Sequence, residues 1–289
     1  MQLLLNILIL ICLYSLIGFS FKIIYSALSS FVLDIAIILS IAPYITYTLV
    51  QTYPNFIFAI LVTLICCISL SIFFYFILYN PLKKLKLENW QILLSSLGVY
   101  IILQNLISII WGDSTLSFRT WEVKTGHLIL GTYITDVQII TFISCVILLF
   151  FSWLFIEKTK IGQQIKVVSS NPKLSSYYGI SVNKATMCSF ALGSGLAACA
   201  GILIAADTDM TPTMGFNWLL YGVVAMIIGG MGKIRYLVLG ALLLATAQHL
   251  SAYYLDSKWM NATAYIILII FLFFKPYGFS GQKLKKQEL

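Results

Sequence analysis

Long apolar runs constrain this chain more than any other feature of its sequence. The stretches Leu3 to Phe21, Phe56 to Leu78 and Thr141 to Ile156 contain no charged residue. A helix needs about 20 apolar residues to cross a bilayer, and buried strands are far shorter. Only 10% of the 289 residues are charged and 60% are hydrophobic, whereas soluble domains carry roughly 25% charged residues. The sequence therefore predicts an integral membrane protein.

The apolar pattern predicts an all-α polytopic bundle of eight or nine transmembrane helices. The seventh stretch is short and interrupted by glycine, so it is either a full span or a re-entrant segment. No stretch of the chain has the composition of a soluble domain, and we expect one membrane domain over residues 1–289. The predicted spans are 2–21, 31–50, 55–79, 90–111, 134–156, 186–206, 214–230, 234–254 and 260–275.

Basic residues cluster between the predicted spans and indicate an orientation. The formal net charge is +8, and cytoplasmic loops carry the excess of Lys and Arg. This rule places residues 83–86, 158–184, 233–235 and 275–286 in the cytoplasm, with the N-terminus outside if there are nine spans. The loop 112–133 has balanced charge and is predicted to be external. No basic stripe interleaved with aromatic residues suggests nucleic-acid binding.

Catalytic and metal chemistry are not expected from this sequence. The six cysteines lie within apolar runs and lack metal-ligand spacing, so they read as buried hydrophobic residues. An intramembrane enzyme would need paired Asp residues, a Ser with a buried base, or a His and carboxylate cluster, and the sequence shows none of these. We expect no catalytic residue, no metal site and no cofactor.

The segment 158–184 is the most informative polar stretch. Asn171 suits a helix N-cap, Pro172 the first helical position and Gly179 a left-handed residue after the helix end. Leu174, Tyr177 and Tyr178 fall at i, i+3 and i+4 and form one apolar face. Such a helix either rests on lipid headgroups or docks in a groove of a cytoplasmic partner. Periodicity alone does not decide between these two interpretations.

Several motifs, in order, resemble the branched-chain amino acid ABC permease family (Liv type). The resemblance covers most of the chain from about residue 90 onward, and its strength lies in order and spacing. The motifs are Leu103 to Asn105, Lys160 to Lys166, Asn171-Pro172, Tyr178 to Val182, Phe190 to Gly201, Gly229 to Gly232 and Phe274 to Gly278.

The resemblance implies a multi-pass permease subunit of an ATP-driven importer in a bacterial cell membrane. Its expected partners are cytoplasmic ABC ATPase subunits, a second permease subunit, an extracytoplasmic solute-binding protein and the lipid bilayer. Branched-chain or other amino acids are the expected solutes, with urea or short amides as the alternative, and a non-ABC channel or scaffold as the other class. In this family the loop after the fifth span meets the ATPase, so Gly162, Lys166, Pro172 and Gly179 are expected coupling positions.

This chain departs from the family pattern in the second span and the loop. The family usually has a polar Asn, His, Gly, Glu set where this chain has Val32, Ile35, Ala36 and Ile37, and it usually has Arg at Lys166 and Pro-Gly at Arg235 and Tyr236. Lys keeps the charge but loses the bidentate geometry of Arg. Asp34, which lies next to these positions, is the one acidic residue of the predicted second span.

Four polar or glycine positions are candidates for the translocation path. Asp34 either sits favourably at the positive end of its helix or lines the path. Gln104 and Asn105 lie within a span and need protein or water partners, so they either fix helix packing or line the path. Gly215 opens the short seventh span, typical of broken transporter helices or of tight packing. Gly193, Ala197 and Gly201 recur every four residues and predict close helix packing.

Overall fold

The structure, a computed structural model, describes residues 2–53, 55–85, 87–119, 126–129 and 132–281. Seven helices in this part are long and apolar enough to cross a membrane, and two further apolar helices have 16 residues. Each of the nine predicted spans corresponds to one of them. The prediction of an all-α polytopic membrane protein is confirmed.

The helices are numbered here in chain order. A π-helical turn, Tyr75–Tyr79, continues α3 directly into α4, so that Phe56–Lys84 forms one span. Two three-residue strands, β1 (His127–Ile129) and β2 (Thr132–Ile134), pair antiparallel with His127 opposite Ile134. The helices are α1 Gln2–Leu28, α2 Asp34–Thr52, α3 Phe56–Phe74, α4 Asn80–Lys84, α5 Asn89–Trp111, α6 Asp136–Lys158, α7 Lys160–Ser170, α8 Pro172–Tyr177, α9 Val182–Thr208, α10 Met214–Gly229, α11 Ile234–Tyr254 and α12 Trp259–Phe274.

The described residues form two compact units, and several helices contribute to both. The loop unit comprises those within Ser20–Phe118 and Phe151–Trp218, and the terminal unit those within Met1–Phe19, Arg119–Phe150 and Leu219–Leu284. In the loop unit, α9 packs against α2, α3 and α7, and α2 packs against α3 and α5. In the terminal unit, α11 packs against α12.

Hydroxyl groups join the helices of the loop unit. The Thr46 and Thr63 hydroxyls of α2 and α3 lie 3.0 Å apart, and the Ser20 hydroxyl donates to the Gly193 carbonyl at 2.9 Å. Both bonds are buried, where an unpaired polar group would be unfavourable. They join α2 to α3 and α1 to α9.

Candidate coupling loop and translocation residues

The helix α7 begins in a tight corner after α6. The Thr159 side chain accepts a hydrogen bond from the Gly162 amide at 3.0 Å and donates to the Phe155 carbonyl at 2.7 Å. Gly162 is buried, and a Cβ at this position would overlap the backbone of Phe155 and Ile156. The family-like Gly162 therefore allows the polypeptide to turn closely around the end of α6.

The helix α7 packs its apolar face on the start of α9. Ile165 and Val168 are buried together with Ala185, and four partly buried residues complete the cluster: Ile180, Val182, Cys188 and Leu192. On the outer side of α7, the Lys166 ammonium lies 2.5 Å from the Glu157 carboxylate, with both side chains close to half exposed. This exposed ion pair joins α7 to α6 and contributes about 0–1 kcal/mol, whereas the apolar cluster packs α7 on α9.

The short helix α8 has the local structure that its sequence predicts. The Asn171 side chain accepts a hydrogen bond from the Leu174 amide at 3.0 Å, Pro172 stands in the first turn, and Gly179 has φ +74°. The Gly179 amide bonds the Ser176 carbonyl and the Ile180 amide bonds the Ser175 carbonyl, both at 3.1 Å. These bonds close the end of the helix as a left-handed glycine allows.

The apolar face of α8 points away from the protein. Leu174 is 52% exposed, Tyr177 86% and Tyr178 77%, whereas Ser175 is fully buried and donates to the Asn171 carbonyl at 2.6 Å. Contiguous exposed apolar groups on a polar loop mark a surface that meets another molecule. The structure therefore leaves this face free for either of the two partners considered from the sequence, lipid headgroups or a protein groove.

Asp34 is the first residue of α2 and is only 2% exposed. The residue Leu33 occupies the N-cap position, and no side chain caps the helix. The Tyr79 hydroxyl interacts with the Asp34 carboxyl group, yet within the described residues neither carboxylate oxygen nor this hydroxyl forms a hydrogen bond of acceptable length and angle. Asp34 does not cap the helix by a hydrogen bond.

Aromatic side chains connect Asp34 with the helix α9. The Tyr79 ring packs on Phe190 of α9, with centroids 5.3 Å apart. The Asp34 carboxyl group therefore lies near aromatic side chains that pack between α3 and α9. A buried carboxyl group within an apolar span is unfavourable and is typical of functional positions.

The π-helical turn of α3 places two tyrosines on the same phenylalanine. Tyr75 packs on Phe190 at 5.4 Å, and its hydroxyl donates to the Asn183 carbonyl and side-chain oxygens at 3.4 Å each. π-Helical turns are rare and frequent at functional sites. The turn thus links the start of α9, next to α7, with the surroundings of Asp34. The sequence analysis did not identify either tyrosine. Within an apolar run, only the hydroxyl group distinguishes a tyrosine from its neighbours.

Gly215, at the start of α10, lies against α2. Its amide donates to the Ser40 hydroxyl at 3.0 Å, and a Cβ would overlap the Ala36 carbonyl oxygen. Gly201 of α9 meets the same stretch of α2 at Leu39, seven residues before α9 ends. The helix α10 therefore begins at about the level of Gly201, roughly 10 Å along the axis from the end of α9.

Gln104 and Asn105 do not join these residues. Asn105 is exposed, and its amide donates to the Ile101 carbonyl of its own helix at 2.7 Å. Gln104 is half-buried, and among the described residues no hydrogen bond fixes its side chain. Among the residues that the structure describes, neither amide bonds a neighbouring helix. Both interpretations of Gln104 and Asn105, helix packing and the translocation path, stay predictions.

The small residues of α9 lie where other backbones come close. Gly193, Ala197 and Gly201 are buried. A Cβ at Gly193 would lie 2.7 Å from the Ile24 side chain, and one at Gly201 would overlap the Leu39 carbonyl oxygen. Spacing by four residues aligns them on one side of the helix. This side of α9 meets both α1 and α2.

In the terminal unit, two of the family-like glycine motifs meet each other. The Phe279 amide donates to the Ile228 carbonyl at 2.8 Å and the Ser280 amide to the Gly229 carbonyl at 3.1 Å. Gly230 and Gly278 have φ of +82° and +60°, which few other residues adopt. The segment after α12 therefore folds back on the end of α10. Backbone hydrogen bonds thus join two motifs that are about 45 residues apart in the sequence.

A polar network lies inside the terminal unit. The Tyr14 hydroxyl donates to the Gln248 side-chain oxygen at 2.8 Å, and the Gln248 amide nitrogen donates to the Met260 carbonyl at 3.2 Å. Satisfied buried networks fix one arrangement of helices, so this network has a structural role.

Comparison with known proteins adds an independent line of evidence. The model of the family described as branched-chain amino acid transport system / permease component matches residues 3–274. The high-affinity branched-chain amino acid transport system permease protein LivH of Escherichia coli K12 is 26% identical over 211 residues, 71% of this chain and 67% of LivH. BraD of Pseudomonas aeruginosa, named for the same activity, is 27% identical over 66% of this chain and 64% of its own length. The ribose import permease protein RbsC of Haemophilus influenzae is 28% identical over 42% of this chain and 40% of its own length.

Proposed function

Because this chain belongs to the branched-chain amino acid transport system permease family, we propose that it is the membrane-spanning subunit of an ATP-driven importer. It is a multi-pass membrane protein, and as an importer subunit of a bacterial inner membrane it would need an ATPase, a second permease subunit and a solute-binding protein. It would have no catalytic residue of its own, because ATP hydrolysis would occur on the ATPase.

The exposed face of α8 is the observation that carries this proposal. Leu174, Tyr177 and Tyr178 present apolar groups on a helix that Asn171, Pro172 and Gly179 bound at both ends. The preceding helix α7 is packed on α9 through Ile165 and Val168. A force on α8 would therefore reach a membrane helix through a packed interface. An inert scaffold or a simple channel would not need this arrangement.

Amino acids are the solute class that the relatives favour. LivH and BraD are named as branched-chain amino acid permeases, and RbsC, which is similar over a shorter stretch, is named for ribose. Asp34, the first residue of α2, and Gly215, which packs against α2, are the residues we propose for the path. A buried carboxyl group suits a solute with an ammonium group, which amino acids have and urea and short amides lack.

Co-purification with the ATPase tests the coupling role. Replacing Tyr177 and Leu174 together by Ser removes two exposed apolar groups without touching the buried face of α7. We expect at least a tenfold loss of ATPase co-purification and of ATP-driven uptake, with an unchanged thermal midpoint. Tyr133→Ser is the matched control, since this tyrosine is 63% exposed on the hairpin predicted to be external. Normal ATPase binding by the double variant would refute the assignment of α8.

A further inference from the structure

Tyr79 places a buried hydroxyl group beside the carboxyl group of Asp34. The Tyr79 side chain is fully buried, Asp34 is 2% exposed, and the two groups interact. Within the described residues, neither the Tyr79 hydroxyl oxygen nor either carboxylate oxygen has a hydrogen bond of acceptable geometry. A buried polar group without a partner lowers stability. Phenylalanine would fill the same space without that penalty, so stability alone does not account for a tyrosine here.

Ser96 of α5 adds a second buried hydroxyl group to this place. It accepts a hydrogen bond from the Leu33 amide at 3.2 Å, donates to the Leu93 carbonyl at 2.8 Å, and interacts with the Tyr79 hydroxyl. Leu33 directly precedes Asp34, so Ser96 holds the start of α2 against α5. A hydroxyl group has one proton and a carboxylate only accepts. Because the Ser96 proton is used on Leu93, the phenolic proton of Tyr79 is the donor that these side chains can offer to Asp34.

The π-helical turn gives its two tyrosines different partners. The rings of Tyr75 and Tyr79 both pack on Phe190, with centroids 5.4 and 5.3 Å away. The Tyr75 hydroxyl donates to the Asn183 carbonyl, whereas the Tyr79 hydroxyl approaches Asp34. The ring of Tyr79 is therefore held by aromatic packing that does not need its hydroxyl group.

We infer that Tyr79 is a positioning residue: its hydroxyl group holds the Asp34 carboxyl group in the orientation that receives the ammonium group of the solute. The inference rests on the proposed function, in which Asp34 lines the path. A carboxylate has two oxygens, so one can accept the Tyr79 proton while the other binds the solute. In the described structure this bond is not completed, and we expect it to form when the solute arrives. A carboxyl group held in place binds a solute more tightly than one that must be ordered on binding.

Double substitutions measure whether Tyr79 acts through Asp34. The complete transporter in membrane vesicles is given leucine as the probe, and uptake is normalised to the amount of folded chain. We expect Tyr79→Phe to lower ATP-driven uptake at least fivefold and Asp34→Asn at least tenfold. Together they should lower it no further than Asp34→Asn alone, because residues that act as one unit are not additive. A loss near the product of the two single effects would overturn the inference.

Tyr75→Phe is the matched control for the loss of a hydroxyl group. Tyr75 lies in the same turn and packs on the same phenylalanine, but its hydroxyl bonds Asn183. Uptake by this variant should stay within twofold of the unsubstituted transporter. Equal losses for Tyr75→Phe and Tyr79→Phe would mean that the turn has only a structural role and would overturn the inference.

Thermal unfolding of the purified chain separates this inference from the proposed function. The shifts in thermal midpoint for Asp34→Asn and Tyr79→Phe should not add in the double variant if the two groups interact, and additive shifts would contradict the pairing. If the shifts are coupled but the unsubstituted transporter shows no ATP-driven uptake, the proposed function fails and the pairing stands. If uptake is ATP-driven and Tyr79→Phe leaves it unchanged, the inference fails alone.

Discussion

At the scale of single residues, Asp34 shows how burial and helix position oppose each other. The start of a helix favours a carboxylate by about 0.3–1 kcal/mol. A buried polar group without a hydrogen bond costs about 1–3 kcal/mol, and Asp34 has no such bond among the described residues. The unfavourable effect is larger. Asp34 is therefore more easily explained by a role in transport than by stability.

Replacing Asp34 separates these roles. We expect Asp34→Leu to keep or raise the thermal midpoint of the purified protein, because it removes a buried carboxyl group and keeps the branched shape of the side chain. Uptake of amino acids should fall at least tenfold. Asp34→Asn, which keeps the shape but not the charge, should show the same loss if an ammonium group is bound. Unchanged uptake together with a lower thermal midpoint would show that Asp34 is structural.

At the scale of elements, α9 is the helix on which the loop unit is assembled. It contacts α2 and α3 along its length and α7 at its start. The small residues at positions 193, 197 and 201 indicated close packing, but the sequence did not identify the neighbouring helices. A Cβ at Gly201 would overlap the Leu39 backbone of α2. A clash with backbone atoms is not relieved by a change of side-chain rotamer.

Two alanine substitutions on α9 test this packing. Gly201→Ala should lower the free energy of unfolding by about 1–3 kcal/mol, the usual effect of overpacking a close contact. Gly195→Ala is the matched control, because its Cβ would lie an ordinary 3.6 Å from Ile68. It should be neutral or slightly stabilising, since Ala favours helix by roughly 0.5–1 kcal/mol. Equal effects of both substitutions in thermal unfolding would contradict close packing at Gly201.

At the scale of the whole molecule, the proposed importer differs from a channel in its energy requirement. The helix α8 exposes an apolar face, and the adjacent helix α7 packs on α9. This arrangement suits a subunit whose conformational change is driven by a partner outside the membrane. A channel would instead pass solute whenever a gradient exists. The dependence of solute flux on ATP therefore distinguishes an importer from a channel. No single residue of this chain shows that dependence.

Uptake measurements in membrane vesicles distinguish the two classes. With the complete transporter, we expect amino acid accumulation above the external concentration, and we expect it to stop when ATP hydrolysis is blocked. The vesicles without ATP measure passive leakage and serve as the control. Continued downhill flow of solute through this chain without ATP would indicate a channel and exclude the proposed mechanism.

Much of the architecture follows from sequence alone, because its physical causes are local. Nine apolar stretches correspond to nine helices, since backbone groups in lipid must be bonded within each segment. The ends of α8 follow from Asn171, Pro172 and Gly179 for a similar reason, as caps depend on residues within one turn.

Only the tertiary structure decided which of these elements meet. It showed that Gly215 packs against α2, that Tyr79 approaches Asp34, and that Asn105 is exposed on α5. In lipid, the helices lack strong patterns of polar and apolar faces, so periodicity does not reveal which side is buried. Contacts between distant segments depend on the packing of all helices together, which the order of residues does not display.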